Sequence, residues 1–417
     1  MSANPQFSRN LFYRLSRTAL SLAESFRFRD RLSRDWLEER ALKITGRSEF
    51  LDDSFREPLD LLIQGSRRRR GMNALGRSSI GAQLLRGLVS RLSMEEIWDA
   101  ASPQLGTSAI IGRTPIYILG LPRTGTTLLH KLLSSDPRSR PLMMWESVFP
   151  VRVPRAGRQS FAADARRARA KYMVSTLHGL VPHLRPIHAL DPTGPEECYW
   201  LLMNSMVSWA YPLQWEVDDY ILWLDGQTEQ TWISVYQHYL GTLRSLQSAA
   251  EDRHWVLKCP LHAPRLGTLA RLVPEALFIQ TYRDISDIVA SSCSLMMALR
   301  SLDSDYVDPV AVGRDTLHTL KGFAEDGLLA GQQYSDRVIH LHYQSLLKNP
   351  VGVLRDIYER FGLNWDADVE QAAQAWLTEN PQGRHGRHRY APEDFGLNQS
   401  QIERAFSGYI AQERSLA

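Results

Sequence analysis

The chain has 417 residues, 43% of them apolar, and a formal net charge of +3. That length suffices for a large core, and the charge is too slight to argue for a nucleic-acid partner. No apolar run approaches the ~20 residues of a membrane-spanning helix, and the N-terminus lacks the uninterrupted apolar segment of a signal peptide. Cys198, Cys259 and Cys293 are widely spaced and show no metal-ligand pattern. The expectation is a reducing, cytoplasmic setting without a disulfide framework.

Residues 1–112 read as a helical N-terminal region. Arg14, Arg17, Arg27, Arg29 and Arg31 alternate there with Leu11, Leu15, Leu20, Leu22 and Phe26. A basic amphipathic helix of this kind docks on the main domain with a solvated Arg face, lies on an anionic membrane surface, or packs on another subunit. Peripheral membrane contact and homo-oligomerisation therefore stay open. Arg67 to Arg70 read as a solvated linker, since no aromatics are interleaved for base stacking.

The stretch Pro115 to Leu133 organises the rest. Ile116 to Leu119 form a buried parallel strand, a loop with Gly120 and Gly125 follows, and Leu128, Leu129, Leu132 and Leu133 recur at helical spacing. Strand, glycine loop and helix N-terminus together hold phosphate, because free N–H groups and the helix dipole converge. The glycines have P-loop spacing and Thr127 takes the hydroxyl position. Thr126 stands where the motif carries lysine, which speaks against an ATP- or GTP-hydrolysing enzyme. The loop's positive charge is Arg123.

Beyond this loop, Met143-Met144-Trp145-Glu146 follows a turn at Asp136-Pro137. A helix begins near Ser160 with Arg166, Arg167, Arg169 and Lys171 facing solvent. A helical, aromatic-rich insertion occupies about 150–250; it serves core packing and offers walls for an apolar or aromatic ligand. Glu196 and Glu197 within it suit capping at least as well as catalysis. Strands then read at His254 to Cys259, Ala276 to Tyr282 and Val338 to His342, with helices from about Pro264 to Val273 and Asp287 to Leu299. Strands alternating with helices imply a three-layer α/β/α domain over 113–417, with a central parallel sheet of P-loop type. Thr124, Lys258 and Arg283 fall at strand carboxyl ends, where such sheets bind ligands.

Gly120-Leu121-Pro122-Arg123-Thr124-Gly125-Thr126-Thr127 resembles the 5′-phosphosulfate loop of the sulfotransferases that use 3′-phosphoadenosine 5′-phosphosulfate (PAPS). The likeness is to the branch with Pro-Arg-Ser-Gly-Thr-Thr. Tyr282-Arg283-Asp284, with Ser291 eight residues after the Arg, resembles that family's 3′-phosphate signature. Gly383 to Tyr390, with Arg384, Arg387 and Arg389, resembles its basic loop over the 3′-phosphate.

This resemblance implies transfer of a sulfuryl group from PAPS to a hydroxyl or amine of a small-molecule or lipid acceptor. It implies Arg123, Thr124, Gly125, Thr126, Thr127, Arg283, Ser291, Arg384, Arg387 and Arg389 as donor contacts, Arg123 and Lys258 on the bridging and sulfuryl oxygens, and no metal. Two residues compete as the base. His262, four residues after Lys258, is the first choice, and Glu146, at about the offset of a family glutamate, is the second. The rivals are a small-molecule or nucleotide P-loop kinase and a non-catalytic nucleotide-binding module.

Overall fold

The computed structural model describes residues 13, 16, 32–100, 114–151, 165–180, 190–247, 253–381 and 391–416. Within them lie five strands: β1 (Ile116–Gly120), β2 (Ser139–Pro141), β3 (His254–Lys258), β4 (Leu277–Tyr282) and β5 (Val338–His342). They form one sheet in the order β2-β3-β1-β4-β5, and every pairing is parallel. Successive strand side chains point to opposite faces. Tyr117, Leu119, Trp255, Leu257 and Phe278 accordingly join the core on one face. Ile116, Ile118, Val256, Ile279 and Ile339 join the core on the other. Helices cover both faces, as expected of an all-parallel sheet.

The four apolar strands fall where the sequence predicts them. The short edge strand β2 is an addition, since Ser-Arg-Pro carries no apolar signature and its proline suits only an edge. The predicted helix from Pro264 to Val273 is a 3-10 turn, Pro260–Arg265, followed by a helix, Leu266–Leu272. The helix expected from Asp287 starts earlier, at Ile285, because the Asp284 carboxylate caps it by accepting from Ser286 and Asp287 N–H. It extends to Asp303. Among the described residues this is the one helix long and apolar enough to cross a membrane, and most of it is buried in the core.

Upstream, helices Arg34–Thr45, Arg56–Arg68 and Ala74–Ala100 pack on the same core as the sheet, through Leu37, Leu59, Leu62, Leu84 and Leu88. The basic stretch before residue 32 lies outside the described residues, Tyr13 and Ser16 apart, and so does 101–113. Arg67 to Arg70 are not a linker. Arg67 and Arg68 end a helix, and Arg69 is buried with its guanidinium donating to the Arg300 carbonyl at 2.8 Å. The helix carrying Arg166, Arg167, Arg169 and Lys171 is Ala165–Leu180. Its Arg166 is only half-exposed and donates to the Pro150 carbonyl at 3.0 Å.

Candidate functional site

Parallel register brings three strand ends to one edge. Ile118 of β1 lies opposite Lys258 of β3, and Gly120 lies opposite Thr281 of β4, so the β1 loop, Lys258 and Arg283 emerge side by side. Gly120 (φ +130°) lies so close to β4 that a Cβ would meet the Thr281 carbonyl oxygen at 2.7 Å. Gly125 (φ +88°) begins the helix Thr126–Leu133, and a Cβ there would strike the Tyr343 ring at 2.5 Å. Neither position tolerates a side chain. No side chain caps this helix, so its first N–H groups face the cavity that Gly125, Thr126 and Thr127 line.

Thr124 does not share that role with its side chain. It is fully buried, donates to the Leu121 carbonyl at 2.7 Å and bonds the Thr281 hydroxyl, latching the loop to β4. Arg123 sits at φ +70°, a left-handed conformation that costs a non-glycine residue about 1–2 kcal/mol. Its Nε donates to Ser291 Oγ at 3.0 Å, and its carbonyl accepts from Arg283 Nη1 at 3.1 Å. The two motifs expected to grip opposite ends of one nucleotide are therefore in direct contact. Burial, and then the neighbouring Arg283 charge, hold the Arg123 pKa below its usual value. Two adjacent guanidiniums form a pocket of positive potential that favours an anion between them.

Arg283 is held from three sides. Its Nη2 pairs with Asp287 at 2.7 Å, and its guanidinium lies 4.9 Å from the Tyr343 ring centre. Its backbone N–H donates to the Tyr409 hydroxyl at 3.1 Å, and that hydroxyl donates to the Arg283 carbonyl at 3.3 Å. Tyr409 belongs to the helix Ser407–Leu416, so the C-terminal region clamps the strand end that presents Arg283.

Lys258 is buried, with Nζ paired to Glu197 and 3.5 Å from Thr127 Oγ1. Burial alone would lower its pKa, but the Glu197 and Glu196 carboxylates more than offset it and the pKa is raised. Glu197 reaches this position because the Cys198 N–H donates to the Lys258 carbonyl at 3.1 Å, fastening an irregular segment alongside β3. Glu197, Arg123, Thr127 and Arg283 line one cavity of about 290 Å³, with Leu213, Leu261, Leu295 and Leu299 on its apolar wall. Glu197 is the one carboxylate among its described lining residues.

Neither residue expected as the base reaches this cavity. His262 is fully buried among Tyr117, Tyr236 and Tyr239, with Nδ1 bonded to the Tyr236 hydroxyl at 3.0 Å. Burial depresses its pKa to about 3. Pro260 starts a 3-10 turn that rotates His262 into this aromatic nest. Glu146 is buried in a bidentate pair with Arg140 (2.7 and 2.8 Å) and accepts from the Met143 N–H. It caps the helix Met144–Val148. The sequence leaves Glu197 open between capping and catalysis, because nothing in the Gly-Pro-Glu-Glu run signals that it is tied to β3. Tyr343 was missed outright, although it directly follows β5 at the same sheet edge. Arg384, Arg387 and Arg389 lie outside the described residues. Among the described residues, no cluster of His, Cys, Asp or Glu is arranged to hold a metal.

A model of the sulfotransferase family matches residues 115–367, which contain β1 through β5 and the whole cavity edge. Two curated relatives, the omega-hydroxy-beta-dihydromenaquinone-9 sulfotransferases Stf3 of Mycobacterium bovis and Mycobacterium tuberculosis, are 26% identical over 266 residues, 61% of this chain. The match spans 64% of those relatives' length, just under two thirds. Sulfotransferase STF1 from Mycobacterium tuberculosis superposes with a TM-score of 0.75 at 29% identity, covering 90% of this chain and 98% of that one. Sulfotransferase STF9 from Mycobacterium avium superposes with a TM-score of 0.79 at 25% identity, covering 93% and 98%. With the family model spanning well over half of its length, this chain belongs to the sulfotransferase family.

Proposed function

We propose that the chain transfers a sulfuryl group from PAPS to a hydroxyl of an apolar small molecule. The observation that carries this reading is the contact between Arg123 and Arg283 beside an uncapped helix N-terminus, with Glu197, the partner of Lys258, lining the same cavity. The adjacent guanidiniums suit the nucleotide's two anionic ends. The N–H groups of Gly125, Thr126 and Thr127 would take the 5′-phosphate, and Arg283 with Ser291 the 3′-phosphate. When bound, the donor supplies an activated sulfuryl group, which passes to the acceptor oxygen as its bond to the 5′-phosphate breaks.

In such a transfer negative charge grows on the peripheral and leaving oxygens, so fixed cations contribute most. Arg123, in the cavity wall, and Lys258, behind Glu197, would supply those cations. Glu197 is our base. Lys258 turns from Glu197 to the developing oxyanion, and the released carboxylate takes the hydroxyl proton. Leu213, Leu261, Leu295 and Leu299 favour an apolar acceptor body. The menaquinone derivative named for the curated relatives is an acceptor of that general character. The three cysteines are free and buried, in keeping with a reducing compartment.

The test is incubation of the purified chain with sulfur-labelled PAPS and a cell lipid extract. Label should enter an organic-soluble product with wild type and not with Glu197→Gln. Equal labelling by both would remove Glu197 from the mechanism, and none with wild type would remove the acceptor class.

A further inference from the structure

A further cation lies beyond the aromatic wall of the cavity. Arg86, on the helix Ala74–Ala100, uses only one of its terminal nitrogens: Nη1 donates to the Val148 carbonyl at 3.2 Å and to Asn204 Oδ1 at 3.1 Å. Nε and Nη2 are buried and have no hydrogen-bond partner. Among the described residues no carboxylate pairs with this guanidinium, which lies 5.1 Å from the Trp200 ring centre. Trp200 Nε1 and Asn204 Nδ2 are likewise buried without partners.

Every unmatched group at this spot is a donor. Folded proteins leave few buried polar groups unsatisfied, and an uncompensated buried charge is costlier still. The open donors on Arg86 are also a matched pair. Nε–H and Nη2–H form one edge of the planar fork, the edge that takes both oxygens of a carboxylate in parallel.

Tyr199 joins this cluster to the cavity. Its ring lines the cavity and packs on Trp200 with centroids 4.5 Å apart. Its phenol, raised in pKa first by burial, feels Glu196 and Glu197 as well as Arg86.

We infer that the acceptor is an apolar hydroxy acid, its carboxylate seated on the Nε–Nη2 edge of Arg86 while its hydroxyl meets Glu197. The Trp200 and Asn204 N–H groups complete the carboxylate's shell, and the Tyr199 ring turns aside to admit it. This rests on the sulfotransfer reading and narrows it to one substrate class.

The experiment compares ω-hydroxy fatty acids of increasing chain length with their methyl esters, using sulfur-labelled PAPS and the full chain. A hydrogen-bonded charge of this kind is expected to favour the best acid over its ester by about tenfold or more in kcat/KM. Arg86→Met should collapse that ratio toward one, mainly by raising KM for the acid. An ester as good as its acid with wild type, no sulfation of either at any length, or a ratio that survives in Arg86→Met overturns the proposal. Should Arg86→Met not fold, the wild-type ratio decides alone. Calorimetry with 3′-phosphoadenosine 5′-phosphate runs in parallel. Nucleotide binding without acid preference sinks only the hydroxy-acid assignment, whereas absence of nucleotide binding sinks both readings.

Discussion

Two buried ion pairs sit near neighbouring strands of the sheet, and they differ in what they leave open. Arg140 of β2 holds both oxygens of Glu146 and stacks on Trp255 at 4.5 Å, and this carboxylate is not among those lining the cavity. Lys258 of β3 holds one oxygen of Glu197, and that carboxylate borders a cavity with two further cations. A closed bidentate pair fixes a turn. A single contact between a strand-end lysine and a cavity carboxylate can be exchanged for substrate. His262 makes the same point, since it lies close to Lys258 in sequence yet is shut in an aromatic nest.

The sharpest way to break this comparison is to neutralise each carboxylate. Glu197→Gln is expected to lower kcat about 10²–10⁴-fold, as loss of a general base does, with the fold intact by circular dichroism. Glu146→Gln should instead break a buried bidentate ion pair and cost about 3–5 kcal/mol of stability in urea unfolding, with kcat of the folded fraction near wild type. Reversal of these two outcomes would exchange the roles assigned to the carboxylates.

Arg123→Ala comes next. It removes one cation from the cavity and should reduce transfer about 10²–10³-fold while leaving the melting temperature near wild type, since alanine keeps the Cβ and with it the left-handed φ strain. A stable variant with wild-type turnover would refute its role.

Tyr409→Phe is subtler. Losing both hydrogen bonds to the Arg283 backbone should raise KM for the donor about fivefold to thirtyfold, at about 1 kcal/mol for each bond, with kcat unchanged. A matching fall in kcat would mean that Tyr409 supports the fold generally rather than the donor contact.

The sealed region can be tested by pH alone. His262 and His130 have folded pKa values near 3, both lowered first by burial. The unfolded chain therefore binds more protons below about pH 6.5, and the histidines' contribution is present above that value and lost as pH falls toward 3. Between pH 6.5 and 5 each should cost about 2 kcal/mol of unfolding free energy, read as a falling urea midpoint. A flat midpoint would mean that these rings are not held neutral by burial.

Much of this was legible in the chain itself, for reasons that vary by element. β1, β3, β4 and β5 are apolar runs closed by turn signals, and burial on both faces leaves no other reading. The phosphate loop carries its glycines because neither site has room for a Cβ. β2 was illegible because a three-residue edge strand ending in proline needs no pattern of its own. Glu197 was illegible for a different reason. Its place depends on one backbone bond from Cys198 to Lys258, a contact across 60 positions that no local spacing encodes. The burial of His262 was illegible because offset along the chain says nothing about the rotation a 3-10 turn imposes.

Calorimetric titration of 3′-phosphoadenosine 5′-phosphate into the metal-free chain tests the central claim most directly. One site, unaffected by added Mg²⁺ and at least tenfold weaker in Arg283→Ala, is the predicted result. No binding, or binding that requires Mg²⁺ and ignores Arg283, would contradict a cavity built to grip a nucleotide by both phosphorylated ends.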